Sequence, residues 1–133
     1  MDNRKKKYNC IAFLHNAVNK ELRRAMCKIM LYTRSAGYAN GYVAIPPEHP
    51  LFGKHYDELE VDVHRGLTYS SPSSDIFEYF DTRAIELLDE EIPKGWWVFG
   101  FDTLHYGDNP DTCPREWCVE ETKRLKTILE NWK

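Results

Sequence analysis

The residue types best able to do chemistry fall in one short stretch, Phe101-Asp102-Thr103-Leu104-His105-Tyr106-Gly107-Asp108-Asn109-Pro110. Two carboxylates flank an imidazole there, and either Asp102 or Asp108 can orient His105. Such a pair can move protons, ligate a metal or hold an anion. The competing reading makes Asp108-Asn109-Pro110-Asp111 a turn and helix cap, with Asp102 bonded to backbone amides. A second stretch, Val63-His64-Arg65-Gly66-Leu67-Thr68-Tyr69, adds His64 and Thr68. Its Arg65 suits a phosphate, and its Gly66 permits close approach of a ligand to the backbone.

Aromatic residues at or beside loops, among them Tyr42, Phe52, Tyr56, Tyr69 and Tyr106, can stack on a base, although most such residues serve packing. The candidate ligand-binding set is therefore His64, Arg65, Thr68, Tyr69, Asp102, His105, Tyr106 and Asp108, with His49 and Tyr42 beside it. No residue is given a catalytic role. His64, Asp102, His105 and Asp108 would be the set for a hydrolytic divalent ion, but no H-E-x-x-H or H-x-H-x-D signature supports one. Walker, G-x-G-x-x-G and G-x-S-x-G motifs are absent, so the reading takes no metal and no cofactor. Cys10, Cys27, Cys113 and Cys118 show no C-x-x-C spacing and read as free, mostly buried thiols. Zinc on Cys113 and Cys118 would need ligands from elsewhere, and Cys118 falls on the apolar stripe of a helix.

The elements that must position these residues follow from periodicity. Tyr8 to Leu14 reads as a strand, and the spacing of Val18, Leu22, Met26, Ile29 and Met30 predicts a basic helix to Tyr32. Asn40-Gly41 is a turn signal before a strand at Tyr42 to Ile45, and Pro46-Pro47-Glu48-His49-Pro50 opens a loop over 46–58. Alternation from Val61 to Ser70 predicts a third strand with His64 and Thr68 on one face, leaving Arg65 on the apolar face by parity. Ile76 to Glu91 reads as a helix or two short helical pieces with Phe77, Phe80, Ile85 and Leu88 inward. Trp96 to Thr103 is nearly continuous apolar, as a central strand covered on both faces requires, and Gly100 in it marks a bulge or close approach. The closing helix has a stripe of Cys118, Thr122, Leu125, Leu129 and Trp132, a cap at Asp111 or Thr112, Pro114 in its first turn, and Glu120 facing Arg124.

These elements predict an α+β fold: a small mixed, mostly antiparallel sheet of about four strands, packed by the C-terminal helix, with an extra N-terminal basic helix. At 133 residues, 42% of them hydrophobic, the chain reads as one domain over 1–133 with a single core. The longest apolar run is too short to span a membrane, and Met1 to Lys7 leads into no secretory h-region, so a soluble cytoplasmic protein is expected. Net charge is −3 but uneven. Residues 1–40 hold nine Lys/Arg against Asp2 and Glu21, and the remainder nine against nineteen acids. The asymmetry allows an anion-binding face, while overall acidity and the lack of a reader motif argue against duplex nucleic acid as partner. The composition leaves a homo-oligomer open.

Four ordered motifs resemble a group of small proteins of tailed bacteriophages and prophages. They are Gly41-Tyr42-Val43-Ala44-Ile45-Pro46; His49-Pro50-Leu51-Phe52-Gly53-Lys54 with Tyr56-Asp57; Val61-Asp62-Val63-His64 with Gly66-Leu67-Thr68-Tyr69-Ser70; and Phe101-Asp102 with His105, Gly107 and Asp108. The likeness runs from about residue 38 to the C-terminus. Two features depart from it: Arg65 stands where the group's pattern has a glycine of H-G-G, and the basic segment 17–34 looks like an insertion. The resemblance implies a counter-defence protein that binds and sequesters a small anionic nucleotide-derived immune signal, such as a cyclic nucleotide or an ADP-ribose derivative, in an infected cell's cytoplasm. Two other functions compete. One is a metal-dependent or His/Asp-based hydrolase or phosphodiesterase of such a signal, and the other a protein-binding inhibitor of a host defence factor acting through the basic segment.

Overall fold

The structure, a computed structural model, describes residues 6–16 and 36–133. The basic helix expected at 18–32 lies outside the described residues. Five strands form one sheet: β1 (Ile11–His15), β2 (Asn40–Ile45), β3 (Tyr69–Pro72), β4 (Ile85–Leu87) and β5 (Trp97–Phe101). Their order is β3-β5-β2-β1-β4, and every pairing is antiparallel. Among the described residues two α-helices complete the fold: α1 (Ser73–Tyr79) and the C-terminal α2 (Arg115–Glu130), which packs on the sheet. The α+β class predicted from the sequence is the class observed, with one strand more than expected.

Because β1, β2 and β5 are covered on both faces, they need side chains that are apolar in both directions, and IAFLH, NGYVAI and WVFGF supply them. One face meets α2 through Ala12, Val43, Ile45, Phe99 and Phe101 against Leu125 and Leu129. The opposite face buries Phe13, Tyr42, Ala44 and Val98 with Ile76, Phe80 and Trp96. Of the predicted stripe, Cys118, Thr122, Leu125 and Leu129 lie on α2 and are all buried, whereas Trp132 falls beyond its end and is partly buried. At its far end the buried Glu130 carboxylate accepts from the Cys10 amide at 3.1 Å, and the Glu130 carbonyl accepts from Lys7 and Tyr8. That contact fixes the N-terminal approach to β1.

Two glycines set the spacing of the layers. Tyr42 pairs with Gly100, and a Cβ on Gly100 would lie 2.3 Å from the Tyr42 ring. The ring therefore lies flat across a strand that has no side chain there, the close approach that this glycine predicts. Gly41 does the same on the other face, where a Cβ would meet Thr122 Oγ1 at 2.1 Å and the Phe101 ring at 2.5 Å.

The structure corrects three expectations. Residues 61–68 are not a strand: the Gly66 amide donates to the Val63 carbonyl at 2.8 Å, closing a turn with Arg65 at φ 59° and Gly66 at φ 78°. Pairing starts only at Tyr69, opposite Gly100. The turn also removes the parity problem, since Val61, Val63 and Leu67 are buried as predicted while Arg65 swings into solvent. Of the helix or two short helical pieces expected over Ile76 to Glu91, the structure has two pieces, α1 ending at Tyr79 and a 3-10 turn at Thr82–Ala84 capped by Asp81, but the chain then leads into β4 on the open edge of β1. There the unpaired backbone of β1 outweighs helix spacing that Ile85 and Leu88 satisfy equally well. Phe77 is exposed in consequence. Finally, α2 begins at Arg115 after Pro114 without a side-chain cap, and Arg124 pairs with Glu121 and Asp62.

Gly41→Ala is expected to lower stability by about 1–3 kcal/mol, the usual cost of overpacking a filled core. Denaturant unfolding of the variant beside the wild type checks this, and a loss below about 0.5 kcal/mol would mean that α2 does not rest on β2 as closely as described.

Candidate functional site

The antiparallel register of β3 and β5 decides where the polar residues meet. With Tyr69 opposite Gly100, the chain entering β3 runs beside the chain leaving β5. The 61–68 turn and the 102–113 loop are thereby brought to one end of the sheet. The loop is tied down at several points. Thr103 donates its amide to Asn40 Oδ1 and its hydroxyl to the Ala39 carbonyl, and Tyr38 donates to the Cys113 carbonyl.

Asp108 is the centre of this junction, with its side chain 4% exposed. Its Oδ1 accepts from His64 Nε2 at 2.8 Å and, more weakly, from the Cys113 thiol at 3.6 Å. Its Oδ2 accepts from the His105 amide at 3.0 Å, while the Asp108 amide donates back to the His105 carbonyl. Burial alone would raise the Asp108 pKa, but these donors, His64 foremost, hold it below the ordinary carboxylate value. Asp108 is thus an anion at neutral pH, bonded both within its own loop and across to the 61–68 turn.

His64 is held from its other side as well. Its amide donates to Glu121 of α2 at 2.7 Å, and its ring meets the Trp117 ring edge-on at 4.9 Å between centroids. Burial pushes the Glu121 pKa up, but hydrogen bonds from Arg124 and the His64 amide bring it below normal. The His105 ring lies 5.9 Å from that of His64 and nearly perpendicular to it. His105 Nδ1 stands 3.2 Å from Asp102 Oδ1 and 3.6 Å from Asp108 Oδ2, yet neither approach is aligned as a hydrogen bond. Asp102 also caps the loop through the Leu104 amide. Neither Asp102 nor Asp108 therefore orients the His105 ring by a hydrogen bond, whereas the turn reading of residues 108–111 holds, with Asn109 Oδ1 accepting from Asp111 and Thr112.

Above this network the surface is open. Arg65 Nη2 donates to the Tyr106 carbonyl at 3.2 Å, and among the described residues no carboxylate pairs with the guanidinium. Tyr106 is 96% exposed. The fold thus brings together His64, Arg65, Asp102, His105, Tyr106 and Asp108, and Thr68 sits at the same strand end, its amide bonded to Gly100. Three residues of the predicted set lie elsewhere. Tyr42 and Tyr69 stack edge-on with each other on the face away from α2. His49 is buried, with Nε2 donating to the Leu129 carbonyl at 2.7 Å and Nδ1 accepting from Leu51, so both ring nitrogens serve the fold.

Sequence reasoning missed three neighbours of the site: Cys113, Trp117 and Glu121. The spacing of Cys113 from Asp108 within one loop was the available signal for the first. Cys118, by contrast, bonds to the Ala39 and Cys113 carbonyls. Burial, with Asp108 and Cys118 close by, pushes the Cys113 thiol up to about 11, which leaves it no nucleophile at neutral pH. Comparison with known protein families, curated proteins and solved structures finds no significant match to this chain. Function must therefore be argued from this arrangement itself: an exposed guanidinium and phenol beside a carboxylate-held His64 and a second imidazole.

Asp108→Asn is expected to cost about 2–3 kcal/mol, because the amide group cannot accept from all three donors. The Asp108 pKa is lowered on folding, so its contribution is fully present above the unfolded value of about 3.9 and fades as pH falls through the folded one. Urea titrations between neutral pH and pH ~3 should therefore show the gap between wild type and variant closing only on the acid side. A gap that stays constant across that range would assign the loss to packing.

Proposed function

We propose that this chain binds a small phosphate-bearing ligand of nucleotide kind over the His64–His105 edge and holds it without turnover. The observation that carries this reading is Arg65. A non-glycine residue at φ 59° costs roughly 1 kcal/mol relative to glycine, and such strain persists where something other than stability selects it. Its exposed guanidinium donates to the neutral Tyr106 carbonyl and, among the described residues, pairs with no carboxylate. A planar cation of this kind recognises phosphate by paired hydrogen bonds. Tyr106 offers an exposed ring for a base, and Asp108 keeps the His64 imidazole in place.

Nearby surface narrows the choice. A cavity of about 510 Å³ beside Gly66 and Leu67 is walled by Asp57, Glu60 and Asp62, which would repel an anion, so the ligand is placed on the Arg65 side. The resemblance to small phage proteins supports sequestration of a nucleotide-derived immune signal, a cyclic nucleotide or ADP-ribose derivative, as the counter-defence role. Hydrolysis of the same ligand is the second reading, favoured by the 3.2 Å approach of Asp102 to His105, since a carboxylate-held imidazole is also how a general base is built.

Incubation of the protein with a panel of nucleotide signals, followed by mass spectrometry before and after heat denaturation, tests both. Sequestration predicts depletion from solution and recovery of the intact molecule; a new mass would establish the hydrolase. No depletion would refute ligand binding and turn attention to a protein partner for the basic segment 17–34. Arg65→Gly is expected to raise stability by roughly 0.5–1 kcal/mol while weakening ligand binding at least tenfold. A variant that is stabilised yet binds as well as wild type would remove Arg65 from the site.

A further inference from the structure

We infer that His64, Asp108 and Cys113 form a binding site for a divalent zinc-like ion beneath the surface site. Their donor atoms, one from each residue, all lie within 4.8 Å of one another. Asp108 Oδ1 stands between the other two, 2.8 Å from His64 Nε2 and 3.6 Å from Cys113 Sγ. Ligands around a tetrahedral zinc ion are about 3.3–3.6 Å apart, given metal bonds of about 2.0–2.3 Å. The Asp108–Cys113 separation already fits. The His64–Asp108 pair needs to open by about half an ångström and the His64–Cys113 pair to close, both within reach of side-chain rotation.

The donor chemistry selects the ion. Thiolate, imidazole and carboxylate together suit zinc and disfavour magnesium or calcium, which take oxygen ligands. One thiolate and one carboxylate also balance a divalent charge, so the loaded centre is neutral, as a nearly closed site requires. Protons balance too. Cys113 loses its thiol proton to solvent, His64 shifts its ring proton from Nε2 to Nδ1, and Asp108 Oδ1 exchanges two accepted hydrogen bonds for the metal. Asp108 Oδ2 keeps the His105 amide. One proton is therefore released per ion bound. His105 is not one of the converging donors, and the fourth position faces the surface through His64, which is 18% exposed.

This site does not require the nucleotide reading, and the metal alone tests it. Full-length protein stripped with chelator is titrated with cobalt(II) as the spectroscopic probe. The expected result is one equivalent bound, with a thiolate-to-cobalt charge-transfer band in the near ultraviolet, displacement by zinc, and release of one proton. Cys113→Ser should lose the band and weaken zinc by more than about 100-fold, beyond the 10–100-fold typical of losing an outer hydrogen-bond partner. His64→Ala, at a partly exposed position, gives a second test should the serine variant fold poorly. Cys118→Ser and His105→Ala should keep the band. His105→Ala separates the two proposals, since it removes a ligand-binding imidazole and leaves the metal ligands intact. Absence of the band in the wild type, or its survival in Cys113→Ser, would overturn the site.

Discussion

Everything in this molecule hangs on the way β5 is paired. It is flanked by β3 and β2 and covered on both faces, so its backbone must be satisfied within the sheet and its side chains must be apolar in both directions. Register then has little freedom, because a slip by one residue would turn Phe99 and Phe101 away from α2 and place a side chain where Tyr42 lies across Gly100. Gly41 imposes the matching condition on the helix side. The two glycines, on neighbouring strands and opposite faces, lock the sheet between its two covers.

That register has a chemical consequence. Antiparallel pairing sets the exit of β5 beside the entry of β3, and each carries a histidine. The space between them is too enclosed for an unpaired charge, so Asp108 survives there as an anion only because donors arrive from His64, the His105 amide and Cys113 together. A buried carboxylate with three such partners is costly to disturb, and the same partners are a potential ligand set. The polar junction therefore serves the fold and the site at once.

Arg65 sets local backbone preference against the tertiary structure, since it is a non-glycine residue at φ 59°. A left-handed position at the second central residue of a turn calls for glycine. Arginine in its place sacrifices some stability and gains a cation at the mouth of the histidine pair. Among the described residues it is the one non-glycine position with a positive φ.

Much was legible from the sequence alone, wherever the signal was local. The apolar continuity of Trp96 to Thr103 specified a central strand, the stripe from Cys118 to Leu129 specified a helix packed on a sheet, and Gly100 marked a close approach. The clustering of Asp102, His105 and Asp108 follows from their nearness in one loop. Tertiary structure alone decided the rest. Residues 61–68 alternate like a strand but turn, because burial of Val61, Val63 and Leu67 can be met by a turn that frees Arg65. Residues 85–87 could extend a helix but instead fill the open edge of β1. His49 and Tyr42 have the residue types of a site but are consumed by the α2 carbonyl and the core. Cys113 joined His64 through contacts far apart in the chain, which no spacing rule can see: periodicity reports which side of an element is buried, whereas convergence depends on register.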